Sequence, residues 1–207
     1  MERFLSNEYR ILSFDPGSRK LGMSVQVLNL DTFNSLVIHA ETLKVDGRLP
    51  LKSEWFLTDG EFTARLNVIE NYVYNACKSW GPAAVVVELP YMGKRPQAFG
   101  ALKEVVLTIR KGCRRWSDTR PPFFYEPSVI KKVMGVPGNS GDKGLMLKSL
   151  QDNPKIQLAE DVDLAKLDEH AVDAILIGRT HVCIGIQRKE ETHGKTKAKK
   201  SKNKQRV

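Results

Sequence analysis

Residues 83–88 read Ala-Ala-Val-Val-Val-Glu, a run rich in β-branched side chains with no polar alternation. A strand of that kind has no face suited to water, so it belongs inside a sheet covered on both sides. The rest of the chain must therefore supply amphipathic helices to cover it.

Those helices are legible as periodic patterns. Phe62, Leu66, Ile69, Val73, Ala76 and Trp80 step by 4, 3, 4, 3 and 4, one face of a helix that Gly81-Pro82 ends. Phe99, Leu102, Val106, Ile109, Cys113 and Trp116 step by 3, 4, 3, 4 and 3, a second long helix. Before them, residues 9–14, 21–28 and 36–45 read as three strands separated by turn signals, Asp15-Pro16-Gly17 and the polar stretch 29–34. This predicts an antiparallel meander, followed by a surface loop over 46–59. Residues 122–125 suggest a short strand, 127–134 a short helix, 135–141 a Gly- and Pro-rich loop, and 142–151 another helix. Residues 153–159 look irregular, and a last helix is expected from about 164 to 183. The fold class expected is α/β, a mixed sheet flanked by helices.

Charge is distributed unevenly along the 207 residues. The chain carries +9, and residues 188–207, with nine Lys or Arg and two Glu, account for +7 of it. A segment so polar has no apolar face to bury and is expected to be a disordered tail attracted to polyanions. The expected organisation is one domain over 1–187 and a basic tail over 188–207. The apolar runs 83–87 and 174–177 are far shorter than the roughly 20 residues that cross a bilayer, and residues 1–10 lack a leader pattern. Cys77, Cys113 and Cys183 have no metal-binding spacing; two fall on apolar helix faces, as expected of core thiols in a reducing cytoplasmic compartment.

Three acids stand where acids are costly. Asp15 ends the first strand, Glu88 ends the buried strand, and Asp173 is the only charge in Ala-Val-Asp-Ala-Ile-Leu-Ile, residues 171–177. A buried carboxylate must be paired, protonated or bound to a cation. His170 lies three residues before Asp173, on the same side of a helix. Three carboxylates and an imidazole suit Mg2+ or Mn2+, and two such ions support phosphodiester hydrolysis. Each residue also has a structural reading: Asp15 as a turn residue, Glu88 facing solvent, His170 as an interior histidine, Asp173 paired with a buried base.

The motifs in order resemble a known family. Ile-Leu-Ser-Phe-Asp-Pro-Gly-Ser-Arg-Lys-Leu-Gly at 11–22 resembles the first motif of the RuvC-type Holliday-junction resolvases, of the ribonuclease H-like superfamily. Val-Val-Val-Glu-Leu-Pro-Tyr at 85–91 is similar to the second, and Glu-His-Ala-Val-Asp-Ala-Ile at 169–175 to the last. The segment 125–143 is similar to the intervening stretch, and the resemblance covers about residues 11–178. It implies a ribonuclease H-like sheet, three antiparallel strands followed by parallel ones. It also implies a homodimeric endonuclease of DNA recombination and repair, which makes paired symmetric nicks in four-way or branched DNA.

By the same resemblance, Asp15, Glu88, His170 and Asp173 would hold two Mg2+ ions, with Mn2+ able to substitute. Tyr91 would stack on a base, and Lys131 and Lys143 would lie near the DNA backbone. Lys94 and Arg95, beside Tyr91, are further candidates for phosphate contact, and Asp168 or Glu169 could replace His170 as an outer ligand. The helix over 97–116 is a candidate dimer element because of its apolar seam. The long interval between Asp15 and Glu88 and the basic tail depart from the family pattern. Two other readings stay open: a nuclease of the same superfamily acting on RNA or on a wider range of branched DNA, and a non-catalytic junction-binding protein.

Overall fold

The structure, a computed structural model, describes residues 8–50, 54–92, 96–138 and 144–185. Three strands open the fold: β1 (Glu8–Asp15), β2 (Lys20–Asn29) and β3 (Ser35–Lys44). They form the expected meander, β1 antiparallel to β2 and β2 to β3. Helix α1 (Glu54–Trp80) leads to β4 (Ala84–Glu88), and α2 (Pro96–Trp116) leads to β5 (Phe123–Tyr125). Then come α3 (Pro127–Val133), α4 (Gly144–Gln151), β6 (Ile156–Leu158) and a helix over residues 169–185, here α5.

The six strands lie in the order β5-β4-β1-β2-β3-β6. β4 is parallel to both β1 and β5, and its first four residues are buried, as the unalternating run requires. The sheet therefore has two apolar faces. On one, Leu12, Phe14, Met23, Val85 and Val87 meet Ile69, Val73 and Cys77 of α1 and Val105, Ile109 and Cys113 of α2. On the other, Ile11, Val37 and Val86 meet Ile130 of α3, Leu150 of α4 and Ile175–Ile177 of α5. Each fully buried aliphatic contributes roughly 1.5–3 kcal/mol relative to an exposed one, so the apolar faces of the helices settle on which side they dock.

Three expectations need correction. The stretch 46–59 is not all loop: a 3-10 turn covers Asp46–Arg48 and α1 begins at Glu54, with Gly60 non-helical at φ 79°. The turns before that kink are largely exposed, with Leu57 75% accessible, so no apolar periodicity announces them. Residues 156–158 form a strand, parallel to β3; three residues are too few to show alternation, and only pairing makes them one. The last helix begins at 169, because Asp163 caps a separate 3-10 turn, Leu164–Lys166. Part of the apolar seam of α2, Val106, Ile109 and Cys113, packs inside the chain against α1 and the sheet, while Phe99 and Leu102 at its start are half-buried.

Cys77 and Cys113 are buried in the core, as expected. Among the described residues, no helix is long and apolar enough to cross a membrane. The expected boundary at 187 and the basic tail 188–207 lie outside the described residues, as do Lys94, Arg95 and Lys143.

Candidate active site

β1 and β4 run parallel and in register, Ser13 beside Val86 and Phe14 beside Val87. One residue further, Asp15 and Glu88 end neighbouring strands on the same face, so their carboxyls meet. Side chains alternate along a strand, which sends Asp15 to the α5 face and Phe14 to the opposite core. α5 crosses that face with its first turn over the strand ends. There His170 Nδ1 lies 2.7 Å from Asp15 Oδ2, a contact that spans 155 residues of sequence.

The start of α5 is itself held. Asp168 caps the helix by accepting from the Ala171 amide at 3.2 Å, and the Thr42 hydroxyl of β3 donates to the same carboxylate. Burial works to raise Asp168, but the Thr42 and Ala171 hydrogen bonds prevail and hold its carboxyl below the ordinary value. Asp168 is thus a cap bound to the sheet. Glu169 stands outside the pair, its Oε1 3.8 Å from His170 Nε2.

Electrostatics bind the four candidates into one group. Burial raises Asp15 above the usual carboxylate range, against the pull of His170 and of the Glu88 hydrogen bond. Glu88 is pushed up to about 8, by burial first and then by the charges of Asp15 and Asp173. The hydrogen bond between them raises Glu88 and lowers Asp15, the pattern of a shared proton that favours Glu88. Asp173 is pushed up to about 7 by burial and by Asp15. His170 moves upward as well, because its hydrogen bond to Asp15 favours the imidazolium. Three acids share a small volume in which they cannot all ionise together.

Such a site lacks positive charge. Lys131 of α3 stabilises the ionised forms of both Glu88 and Asp173, and His170 does so for Asp15 and Asp173, yet the acids remain high. Hard oxygen donors with one imidazole, short of countercharge, match what Mg2+ or Mn2+ prefers. Among the described residues no three of these donors already form a closed ligand cluster. Asp15 is engaged with His170 and with the Glu88 proton, and a cation would exchange those hydrogen bonds for its own bonds. The residues present fit a divalent ion in chemistry and in charge.

Two further expected residues are placed by the structure. Tyr91 follows β4 with 74% of its surface accessible. Lys131 sits half-buried within electrostatic reach of the Glu88 carboxyl. Sequence reasoning missed Thr42 and Gly22. Gly22 pairs with Asp15 across the sheet, and a Cβ there would overlap the His170 carbonyl oxygen. A glycine in the middle of a strand was the available signal, since it often marks close approach of another backbone.

The fold is a ribonuclease H-like mixed sheet. It is similar to that of Thermus thermophilus RuvC in complex with Holliday junction substrate, with a TM-score of 0.64 at 18% identity over 86% of this chain and 96% of that one. The Thermus thermophilus RuvC structure gives 0.64 at 17% identity, with the same coverage. The yeast mitochondrial Holliday junction resolvase Ydc2 gives 0.62 at 14% identity, over 88% of this chain and 82% of that one. No protein-family model matches the chain, and no curated protein matches it in sequence.

Proposed function

We propose that this protein is a structure-selective DNA endonuclease that resolves four-way junctions by metal-assisted phosphodiester hydrolysis. The observation that carries the reading is the convergence of Asp15, Glu88, His170 and Asp173 at one end of a sheet with the RuvC fold. The solved RuvC of this fold is bound to Holliday junction substrate, and Ydc2 is a Holliday junction resolvase. That supports four-way DNA as the substrate here.

In this reading the four residues hold two Mg2+ ions, for which Mn2+ can substitute. Divalent ions in such a site supply Lewis acidity toward the phosphodiester and a nucleophile at neutral pH. The protein's own groups do the rest. Without a cation, Asp15 holds the His170 ring through Nδ1, with Nε2 turned toward Glu169. Lys131 attracts the scissile phosphate toward the carboxyl cluster. Tyr91, projecting past the end of β4, offers a π face on which a base at the branch point can stack. Lys94, Arg95 and Lys143 are assigned to flanking phosphates.

Water attacks phosphorus, the bond to the 3′ oxygen breaks, and the products are a 5′ phosphate and a 3′ hydroxyl. A two-fold symmetric junction calls for two such sites, hence a homodimer. The domain comprises residues 1–187, and the basic tail 188–207 adds sequence-independent attraction for DNA. The compartment assigned is the cytoplasm of a bacterial or phage-infected cell, and Ydc2 supplies the organellar alternative.

The test is cleavage of a labelled immobile four-way junction by wild type and Asp173→Asn, in Mg2+ or EDTA. Paired symmetric nicks that need both the metal and Asp173 are expected. Tight binding without a cut in any metal would overturn the enzyme, and equal cutting of plain duplex or an RNA–DNA hybrid would overturn the junction.

A further inference from the structure

α5 carries two of the four site residues, and the core beneath it is unusual. Where α5 crosses β1 and β2, the sheet presents Ser13, Ser24 and Gln26, all fully buried, instead of aliphatic side chains. Ser13 Oγ donates to the Ala174 carbonyl at 2.7 Å, and Gln26 Nε2 donates to the Ile175 carbonyl at 2.8 Å. Ser24 Oγ joins them, 2.7 Å from Ser13 Oγ and 3.3 Å from Gln26 Nε2. Backbone carbonyls inside a helix already accept from their own amides, so these bonds are not needed to complete the helix. They tie it to the sheet.

The register of the ties matches the register of the site. Ser13 and Asp15 are two apart on β1 and share a face, a separation of about 6.6 Å along a strand. Their partners Ala174 and His170 are four apart on α5, about 6 Å along a helix. The neighbouring strand repeats the pattern. Gly22 pairs with Asp15 and admits the His170 backbone, Ser24 pairs with Ser13, and Gln26 pairs with Ile11. At the far end, Gly178 makes room for the strip: a Cβ there would overlap Gln26 Nε2 and stand 2.8 Å from Ser13 Oγ.

We infer that Ser13 and Gln26 are positioning residues that set where α5 sits along the sheet, and through it where His170 and Asp173 stand relative to Asp15 and Glu88. Apolar packing is non-directional and tolerates sliding, and the hydrophobic faces of α5 and the sheet alone would leave its axial position loosely specified. Directed hydrogen bonds to two successive helix carbonyls remove that freedom. The inference rests on the divalent-cation reading of the site.

The experiment uses the full chain and Mn2+ alone, with affinity read by calorimetry, alongside single-turnover cleavage of a four-way junction and junction binding in EDTA. Ser13→Ala and Gln26→Leu are compared with wild type and with Val73→Ala, which weakens the opposite core without touching α5. Loss of a partner hydrogen-bonded directly to a metal ligand typically costs about 10–100-fold in metal affinity. Ser13 and Gln26 act one step further back, so a loss of about 10-fold, the low end, is expected in both strip variants. The cleavage rate at saturating protein should fall in step, with junction binding in EDTA unchanged. Ser13→Thr, which keeps the hydroxyl, should retain the affinity that Ser13→Ala loses.

Mn2+ affinity and cleavage rate equal to wild type in both strip variants would overturn the inference. So would an equal loss of affinity in Val73→Ala at a matched fall in Tm, since the effect would then be general loosening. Wild type that binds no Mn2+ would remove the metal reading itself, and the inference with it.

Discussion

His170 Nδ1 and Asp15 Oδ2, 2.7 Å apart, join the first turn of the last helix to the end of the first strand. Removing the acceptor's charge reaches both residues. In Asp15→Asn the imidazole loses the partner that raises its pKa, and on the proposed function the site would lose one of its carboxylate ligands. Junction cleavage should fall by about 10³-fold or more, the scale of several kcal/mol of transition-state stabilisation. Binding to the junction in EDTA should change little. Single-turnover kinetics and a gel-shift titration check the two halves of this prediction.

Stability without metal should depend on pH with a defined sign. Glu88 rises from 4.5 to about 8 on folding and Asp173 from 3.8 to about 7, so the folded protein keeps protons that the unfolded chain releases. Their contribution is neutral below the unfolded values, and stability is lost as pH climbs toward the folded ones. Glu88→Gln and Asp173→Asn should therefore gain Tm over wild type in EDTA as pH is raised from about 5 to about 8. Mg2+ should shrink that gain by stabilising the wild-type carboxylates. Thermal melts across pH, with and without Mg2+, measure both effects.

Gly22→Ala places a methyl group against the His170 carbonyl, backbone that cannot rotate away. Overpacking of this kind costs about 1–3 kcal/mol, and the strain falls on the approach of α5 to β2. Cleavage should drop more than the fall in Tm explains, since the displaced segment carries His170. Comparing the two losses in one variant is the check.

Tyr91 is 74% exposed, so its removal should leave stability within about 0.5 kcal/mol. If it stacks on a base, Tyr91→Ala should weaken junction binding by about 1–3 kcal/mol and Tyr91→Phe should not. Plain duplex, which presents no unstacked base, should bind both variants like wild type. Fluorescence titration with the two DNAs decides it.

Thr42→Val deletes the hydroxyl that fixes the Asp168 cap. The cap itself remains, so a loss at the low end of the roughly 0.5–2 kcal/mol range for caps is expected, against the full range for Asp168→Ala. Asp168→Asn, still able to cap, should fall between wild type and Asp168→Ala. Denaturant unfolding orders the three.

Much of this site could be read in the chain before folding. An acid in an apolar run is costly once the run is buried, so Asp15, Glu88 and Asp173 stood out by composition of their neighbours alone. The two long helices were legible because their apolar faces repeat over 19 and 18 residues, Phe62–Trp80 and Phe99–Trp116. β6 was not, because three residues show no period and only its pairing with β3 makes it a strand. The start of α1 was hidden for the opposite reason, an exposed turn with no face to bury.

Sequence by itself determined the alternation of elements, the two-sided burial of β4 and the identity of the acids, because these follow from local pattern and from the cost of burying charge. Tertiary structure alone decided that Asp15 meets His170 and Glu88, that Asp168 serves as a cap held by Thr42, and that Ser13 and Gln26 grip α5. Those relations link residues up to 161 positions apart, and they depend on strand register and helix placement. No local pattern encodes an axial position. It is set only when directed bonds from one element find their acceptors on another.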